Sequence, residues 1–476
     1  VDGTGHHYDR TMTDDDLRSF LSAFAKLSDL ANRIDAGSGN QQRFTDAVSD
    51  RLGTDATRLS VLSEDIPPHR YVDWDVALGQ LMAQDPEAVL LGLGGGQERY
   101  HRVLGDILAD RWANFPVGQV DYVNLPSGPE TTHQAIGLGA RSFTHRGTPV
   151  LVFQRRGGSD GDGAPAVDVM STDSSVAVAL LDELRRLSDE HSVLRGQVVT
   201  LGLSDDHRPV YQFLPRTRVP ASDVILPPGT LARIGGHVQG IARHADRLRA
   251  HGQHLKRGLL LYGPPGTGKT HTVRHLLGEL EGHTVVLLRG QALMMISQAA
   301  ALARAMQPSV VVLEDCDLVA EDRSFDGSTA VLFEVLDAVD GIDGDVDVTF
   351  VLTTNRIDVL EEALVQRPGR VDLAVEIPLP DEEGRRGLLK LYSSGIGFSE
   401  DALSEAAALS EGMTGSFAKE LTRRAVLRAI IDDREPSDED LLVSLEEQLR
   451  DTESLRLHLA HDSVEIEEDL DFFDEG

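Results

Sequence analysis

The segment Gly263-Pro-Pro-Gly-Thr-Gly-Lys-Thr270 constrains this chain more than any other stretch. It follows the apolar run Leu259-Leu-Leu-Tyr262 and opens a helical pattern, so it reads as a tight turn between a buried strand and a helix. Gly263, Gly266 and Gly268 let backbone N–H groups turn inward around phosphate oxygens, and the amino terminus of the next helix adds its dipole. Gly263, Pro264, Pro265, Gly266, Thr267, Gly268, Lys269, Thr270 and His271 therefore form the candidate nucleotide-binding set. The Lys269 ammonium suits the β- and γ-phosphates and the Thr270 hydroxyl suits magnesium, which predicts ATP with Mg2+ as the ligand.

Two further segments complete the pattern. Val310-Val-Val-Leu-Glu-Asp-Cys-Asp317 reads as a buried strand ending in adjacent carboxylates, Glu314 and Asp315, one for the magnesium shell and one beside an attacking water. Val351-Leu-Thr-Thr-Asn-Arg-Ile-Asp358 ends another apolar strand at Asn355, whose amide holds that water or touches the γ-phosphate. Arg367-Pro-Gly-Arg370 and Val371-Asp372 follow.

In this order, GPPGTGKT, an apolar strand with paired acids, TTNRID and ALVQRPGRVD, the chain resembles the AAA ATPase family over about residues 224–377, with a helical lid after it. The resemblance implies an α/β P-loop AAA module, ATP hydrolysis, a sensor role for Asn355, and arginine fingers at Arg367 and Arg370 that reach a neighbouring subunit's γ-phosphate. Fingers of that kind imply a ring, hexameric or heptameric. The lid shows no evident second sensor arginine; Gly412-Met-Thr-Gly-Ser416 stands at that place.

The acids depart from the family's usual Asp-Glu order, being Glu314 then Asp315. A similar inversion, and a similar approach through Ser222-Asp-Val-Ile-Leu-Pro-Pro-Gly229, occur in the branch containing the mitochondrial translocase of the Rieske iron–sulfur protein. With that order, Glu314 is expected on magnesium together with Thr270, and Asp315 beside the water. The Arg289–Pro308 connection is short and carries Leu293-Met-Met-Ile296 but no aromatic residue, which suits reshaping or moving folded partners better than threading unfolded ones. Simple helix packing is the favoured reading of those apolar residues, as it is of His271 and His275, four apart without a third metal ligand.

The expected organisation is an α+β amino-terminal recruitment domain over 1–222, helical over 1–60, where Leu17, Phe20, Leu21, Phe24, Leu27, Leu30 and Ile34 recur at helical spacing. A large α/β ATPase subdomain over 223–380, a helical lid over 381–460 and an acidic tail over 461–476 follow. Within 70–222, strands are expected at 88–91, 120–123, 150–153, 167–170, 197–201 and 210–213, and helices at 97–112, 131–141 and 176–189. Later strands are expected at 258–262, 284–288, 310–313, 348–353 and 374–377. Gly157–Ala166 is expected as a loop inside the amino-terminal domain, Gly92–Gly96 as a glycine turn, and the tail as solvated chain, with a docking peptide as the alternative.

A formal charge of −33 disfavours nucleic acid as a direct partner, with Arg155, Arg156 and Arg423–Arg428 as the candidate local exceptions. One cysteine, Cys316, precludes an internal disulfide and fits a cytoplasmic setting, and no apolar run spans a bilayer. The expected function is a ring-forming ATPase that remodels or moves a protein client. The alternative is a nucleotide-controlled scaffold or signalling switch with little turnover.

Overall fold

The computed structural model describes residues 42–110, 115–157, 164–203, 209–317, 346–357 and 371–471, with Ser22, Ala23 and Lys26; for Leu203, Pro209 and 455–471 it describes backbone alone. Two compact units divide the chain at Val193/Leu194.

The first unit is an antiparallel sheet covered by helices. Its strands are β1 (Leu62–Asp65), β2 (Val89–Leu93), β3 (Val117–Gly118), β4 (Asp121–Pro126), β5 (Thr132–His145), β6 (Thr148–Arg155) and β7 (Ala166–Ser171). They run in the order β1-β7-β6-β5-β2-β3, with β4 also on β5. Four helices accompany them: α1 (Phe44–Leu52), α2 (Tyr71–Met82), α3 (Leu104–Ala109) and α4 (Ser174–Glu190). Alternation along β6 shows how they are placed. Val150 and Val152 pack with Trp74 and Leu78 of α2 and Leu180 and Leu184 of α4, whereas Leu151 and Phe153 pack with Phe44 of α1 and Ile107 of α3. Both faces of β6 are buried over Val150–Phe153, which is why that stretch reads as a continuous apolar run.

The expected helix over 131–141 is instead part of β5, the longest described strand, paired with β2, β4 and β6. Gly137 and Gly139 lie within it, and a Cβ on Gly139 would meet Val120 and Ile136 at 3.1 and 3.4 Å. Glycine weakens a helix and permits such close strand approach. Over 97–112 the chain forms a short 3-10 turn (Gln97–His101) and then α3, so that expectation is met only in part. Most of the amino-terminal helical pattern lies outside the described residues. The strands on either side of Gly157–Ala166 pair with each other, so both ends of that stretch belong to one unit, while residues 158–163 lie outside the described residues. Of the expected glycine turn, Gly92 and Leu93 are instead the end of β2, where Gly92 pairs with Gly118 and a Cβ would sit 2.1 Å from the Gln119 backbone.

In the second unit six strands run parallel: β8 (Val198–Leu203), β10 (Arg257–Tyr262), β11 (Thr284–Arg289), β12 (Ser309–Glu314), β13 (Val348–Thr354) and β14 (Leu373–Glu376). The antiparallel β9 (Pro209–Leu214) completes the order β14-β10-β13-β12-β11-β8-β9. Helices α5 (Thr230–Arg243), α6 (Ala245–Ala250), α7 (Lys269–Glu279) and α8 (Ile296–Ala305) accompany the sheet. The lid comprises α9 (Glu382–Tyr392), α10 (Glu400–Leu409), α11 (Gly415–Ile431) and α12 (Asp438–Asp471) around its own Leu-Ala core.

This topology corrects the expected boundary at 222. Strands β8 and β9 belong to the second sheet, with Val198–Thr200 paired to Val285–Leu287, so the division falls at 193/194. Arg216 fastens the hairpin, donating to the carbonyls of Leu277 and Leu280 at the end of α7 and to those of Gly196 and His283. The backbone of α12 is helical as far as Asp471, into the stretch expected to be a solvated tail. No described helix is long and apolar enough to cross a membrane.

One buried ionic network holds the first unit. The Asp75 carboxylate accepts from His133 Nε2 (2.8 Å), Ile136 N (3.2 Å), Arg141 (2.8 Å) and Gln154 Nε2 (3.2 Å). Burial opposes its ionisation, but Arg141 and the hydrogen bonds outweigh burial and hold the carboxyl below its ordinary range. Asp75→Ala leaves the buried Arg141 guanidinium without its countercharge. The expected cost is about 3–5 kcal/mol, seen as a lowered urea midpoint in the fluorescence of Trp74 and Trp112; an unchanged midpoint would refute this role.

Candidate functional site

The site is built on strand ends. Strand β10 is buried on both faces and leads directly into the glycine-rich loop, which ends at the amino terminus of α7. Gly263 (φ 144°) cannot be replaced cheaply, because a Cβ would lie 2.2 Å from the Ile377 carbonyl oxygen. Gly266 (φ 76°) is approached less tightly by the lid, its Cβ position 2.9 Å from Ser416 Oγ and 3.1 Å from Thr414 Oγ1. Lys269 is buried and its Nζ donates to the carbonyls of Gly263 and Pro264, both at 2.8 Å. Burial lowers its pKa from the ordinary lysine value, while Asp315 and Asp317 act in the opposite direction.

A cavity of about 430 Å3 opens over this loop. Pro265 to Thr272 and Arg274 line one side, Asp315 and Asn355 stand at the strand ends, and Gly415, Ser416 and Lys419 come from α11 of the lid. Asp223 to Leu226, Leu388 and Tyr392 supply a largely apolar wall. A neighbouring groove of about 740 Å3 shares Val224, Ile225, Leu226, Thr267 and Leu388, so the stretch 224–226 borders both.

The two adjacent acids part company. Asp315 lines the cavity and adopts a left-handed backbone (φ 53°), uncommon for a non-glycine residue; its N–H donates to Thr353 Oγ1 at 3.0 Å. Glu314 is buried, borders a different depression of about 360 Å3 and is ion-paired with Arg289. Burial raises the Glu314 pKa, with Arg289 opposing. The structure thus brings Asp315, but not Glu314, to the cavity that holds Lys269 and Thr270. Asn355 reaches it as expected, fixed through Asp317: Asp317 accepts from Thr354 Oγ1 (3.0 Å), Asn355 N (3.1 Å) and Asn355 Nδ2 (3.2 Å).

His271 lines the cavity with its Nε2 buried and unpartnered among the described residues. His275 instead packs against the segment that follows β9, Nδ1 2.7 Å from the Val219 carbonyl, and no described group of three or more His, Cys, Asp or Glu side chains could hold a metal. Arg367 and Arg370 lie outside the described residues. Leu293, Met295 and Ile296 are buried in the sheet's core while Met294 is half exposed, as helix packing predicts. The candidate basic run on α11 is neutralised, with Arg423 and Arg424 on Glu420, Arg424 also on Asp451, and Arg428 on Glu447. Sequence reasoning assigned no role to Asp317, Lys419 or the apolar wall. A third acid two positions after Asp315, and a lysine four residues into the lid helix, were the signals available for the first two.

A glycine-rich loop between an interior strand of a parallel sheet and a helix, with acids and an amide on nearby strand ends, defines a P-loop nucleotide-binding module. Residues 259–379 match the family model described as "ATPase family associated with various cellular activities (AAA)", and this segment is an AAA-family module. A proteasome-activating nucleotidase of Methanoculleus marisnigri is 33% identical over 219 residues, covering 42% of this chain and 53% of that protein. Another, from Methanospirillum hungatei, is 37% identical over 205 residues, 40% of this chain and 50% of that protein. The 26S proteasome regulatory subunit 10B homolog A of Arabidopsis thaliana is 33% identical over 194 residues, 38% and 48% of the two chains. The chain spans about half the length of the curated relatives it matches.

Between the two site aspartates, Cys316 is buried, and burial pushes its thiol up to about 12. The thiolate is the reactive form. Iodoacetamide at pH 8 is therefore expected to label native protein about 10²-fold or more slowly than urea-unfolded protein. Equal rates would contradict the closed packing of this turn.

Proposed function

We propose that the chain binds Mg-ATP in the cavity over Gly263–His271 and hydrolyses it, acting as one subunit of a ring that remodels or moves a protein client. The observation that carries the reading is the convergence of Lys269, Thr270, Asp315, Asn355 and the lid helix α11 on one cavity. The apolar wall from Asp223–Leu226, Leu388 and Tyr392 suits a nucleobase, and the loop with Lys269 suits the phosphates. The Thr270 hydroxyl, a hard oxygen donor, would hold magnesium together with a nucleotide's own phosphate oxygens. A magnesium ion held there would supply positive charge against that developing on the phosphate oxygens. Asp315 takes a proton from the attacking water, Asn355 orients that water or the γ-phosphate, and Arg367 and Arg370 serve a neighbour's site. Glu314 reaches a metal beside Thr270 only by giving up Arg289.

A protein client is supported by the names of the relatives, a proteasome-activating nucleotidase and a proteasome regulatory subunit. Placement near the Rieske translocase branch is supported by the Glu314-Asp315 order and the approach over Ser222–Gly229. Action on folded clients is supported by the Arg289–Pro308 connection, which offers an exposed Met294 and no aromatic side chain. The second reading, a scaffold with little turnover, draws on the Arg289–Glu314 ion pair, which holds one of two acids away from the cavity.

Lys269→Ala is expected to abolish steady-state ATP hydrolysis, and a folded Lys269→Ala protein with undiminished turnover would end the ATPase reading. Asp315→Asn is expected to keep nucleotide binding while slowing turnover by about 10²–10⁴-fold, with Glu314→Gln changing magnesium dependence instead. Equal loss of binding in both variants would remove this division of roles. Across subunits, Lys269→Ala chains mixed with Arg367→Ala/Arg370→Ala chains should regain part of the activity. Mixed rings without any recovery would count against fingers acting in trans.

A further inference from the structure

We propose that Asp317 is a positioning residue of the nucleotide site, holding the Asn355 amide in the orientation it presents to the cavity. The inference rests on the ATPase reading above and concerns a side chain that reading does not use. Asp317 is buried, at 6% exposure, and makes no ion pair among those described, with Lys269 acting on it only from a distance. A carboxylate is costly to bury without a countercharge unless donors satisfy it. Here the three donors come from two consecutive residues: Thr354 Oγ1, Asn355 N and Asn355 Nδ2. Among the described residues, every side-chain hydrogen bond to it comes from the end of β13 and the residue after it.

The acceptor-only character of a carboxylate decides what this does. An amide meets it through nitrogen, because its oxygen would meet only lone pairs. Asn355 Nδ2 therefore turns to Asp317, and the Asn355 oxygen and the second Nδ2 hydrogen remain for the cavity that Asn355 lines. The backbone bond from Asn355 N fixes the main chain at the same point. Thr354 Oγ1 accepts from Arg356 N at 3.0 Å, which carries the tether one residue further. Thr353 Oγ1 meanwhile accepts from Asp315 N, so three consecutive residues at and just beyond the end of β13, Thr353 to Asn355, grip both aspartates beyond β12. Asp315 and Asn355 thereby hold fixed places relative to each other. An aliphatic residue at 317 would fill the same volume and fix neither.

The test is steady-state ATPase kinetics of the full chain, with a fluorescent ATP analogue measuring nucleotide affinity separately. Asp317→Ala is expected to lower kcat about 10- to 100-fold, the range for removing a group that orients a site ligand, with KM and analogue affinity within about threefold. Asp317→Asn, near-isosteric and still offering one acceptor oxygen, is expected to fall between Asp317→Ala and the wild type. Asp317→Ala/Asn355→Ala should be no slower than Asn355→Ala alone, because Asp317 acts through Asn355. Additive losses in the double variant, a parallel loss of analogue binding in Asp317→Asn, or full activity in Asp317→Ala when Asn355→Ala is slow would each overturn the proposal. Lys269→Ala in the same series reports on the ATPase reading by itself. Undiminished turnover there sinks both, whereas loss there with an inert Asp317 sinks only this proposal.

Discussion

The structure of the second unit turns on how the chain leaves β10. That strand lies between β13 and β14 with both faces buried, and its last residue, Tyr262, accepts from Ile377 N at 2.7 Å. The next residue must pass over the end of β14 with no room for a side chain, since the Ile377 carbonyl occupies the place of a Cβ. Gly263 meets that requirement with a backbone other residues rarely adopt. From there the loop is directed beneath Thr414 and Ser416 of the lid and back onto Lys269. The sheet, the loop and the lid are brought into register by one close approach.

The apolar interior of the sheet does no chemistry, yet it fixes where chemistry is placed. Val310–Leu313 and Phe350–Leu352 are buried on both faces and leave no freedom for β12 and β13 to slip. Polar residues begin where this interior stops, and they use one another: threonines and an asparagine from β13 hold aspartates beyond β12. The strained backbone of Asp315 is tolerated because its N–H and that of Cys316 both bond to Thr353.

Most of the second unit was legible because its signals are local. A phosphate loop between a strand and a helix, and apolar runs ending in polar residues, gave β10 to β14, the lid and the cavity's Lys269, Thr270, Asp315 and Asn355. What was hidden depends on contacts distant in sequence. Residues 131–141 carry spacing that a helix also satisfies, and only pairing with three other strands decides for β5. Strands β8 and β9 were found but assigned to the wrong unit, because a hairpin does not announce which sheet it will join. Glu314 was expected on magnesium from its place beside Asp315. Neighbours on a strand point opposite ways, and Arg289, its register partner on β11, takes it instead. Asp317 and Lys419 went unassigned because each becomes meaningful only when strand ends and lid meet.

The β8–β9 hairpin changes what counts as a self-sufficient module in this chain. Residues 259–379 carry the family match, yet the flank of β11 is completed by residues that precede the match by more than 50 positions. A fragment begun at 223 would bare the N–H and C=O groups along β11 and leave the α7 carbonyls at Leu277 and Leu280 without Arg216. Such a naked border is a template for sticking to other strands. For grafting, exchanging or shortening this unit, the natural cut is before Leu194, and the hairpin travels with the phosphate-loop sheet.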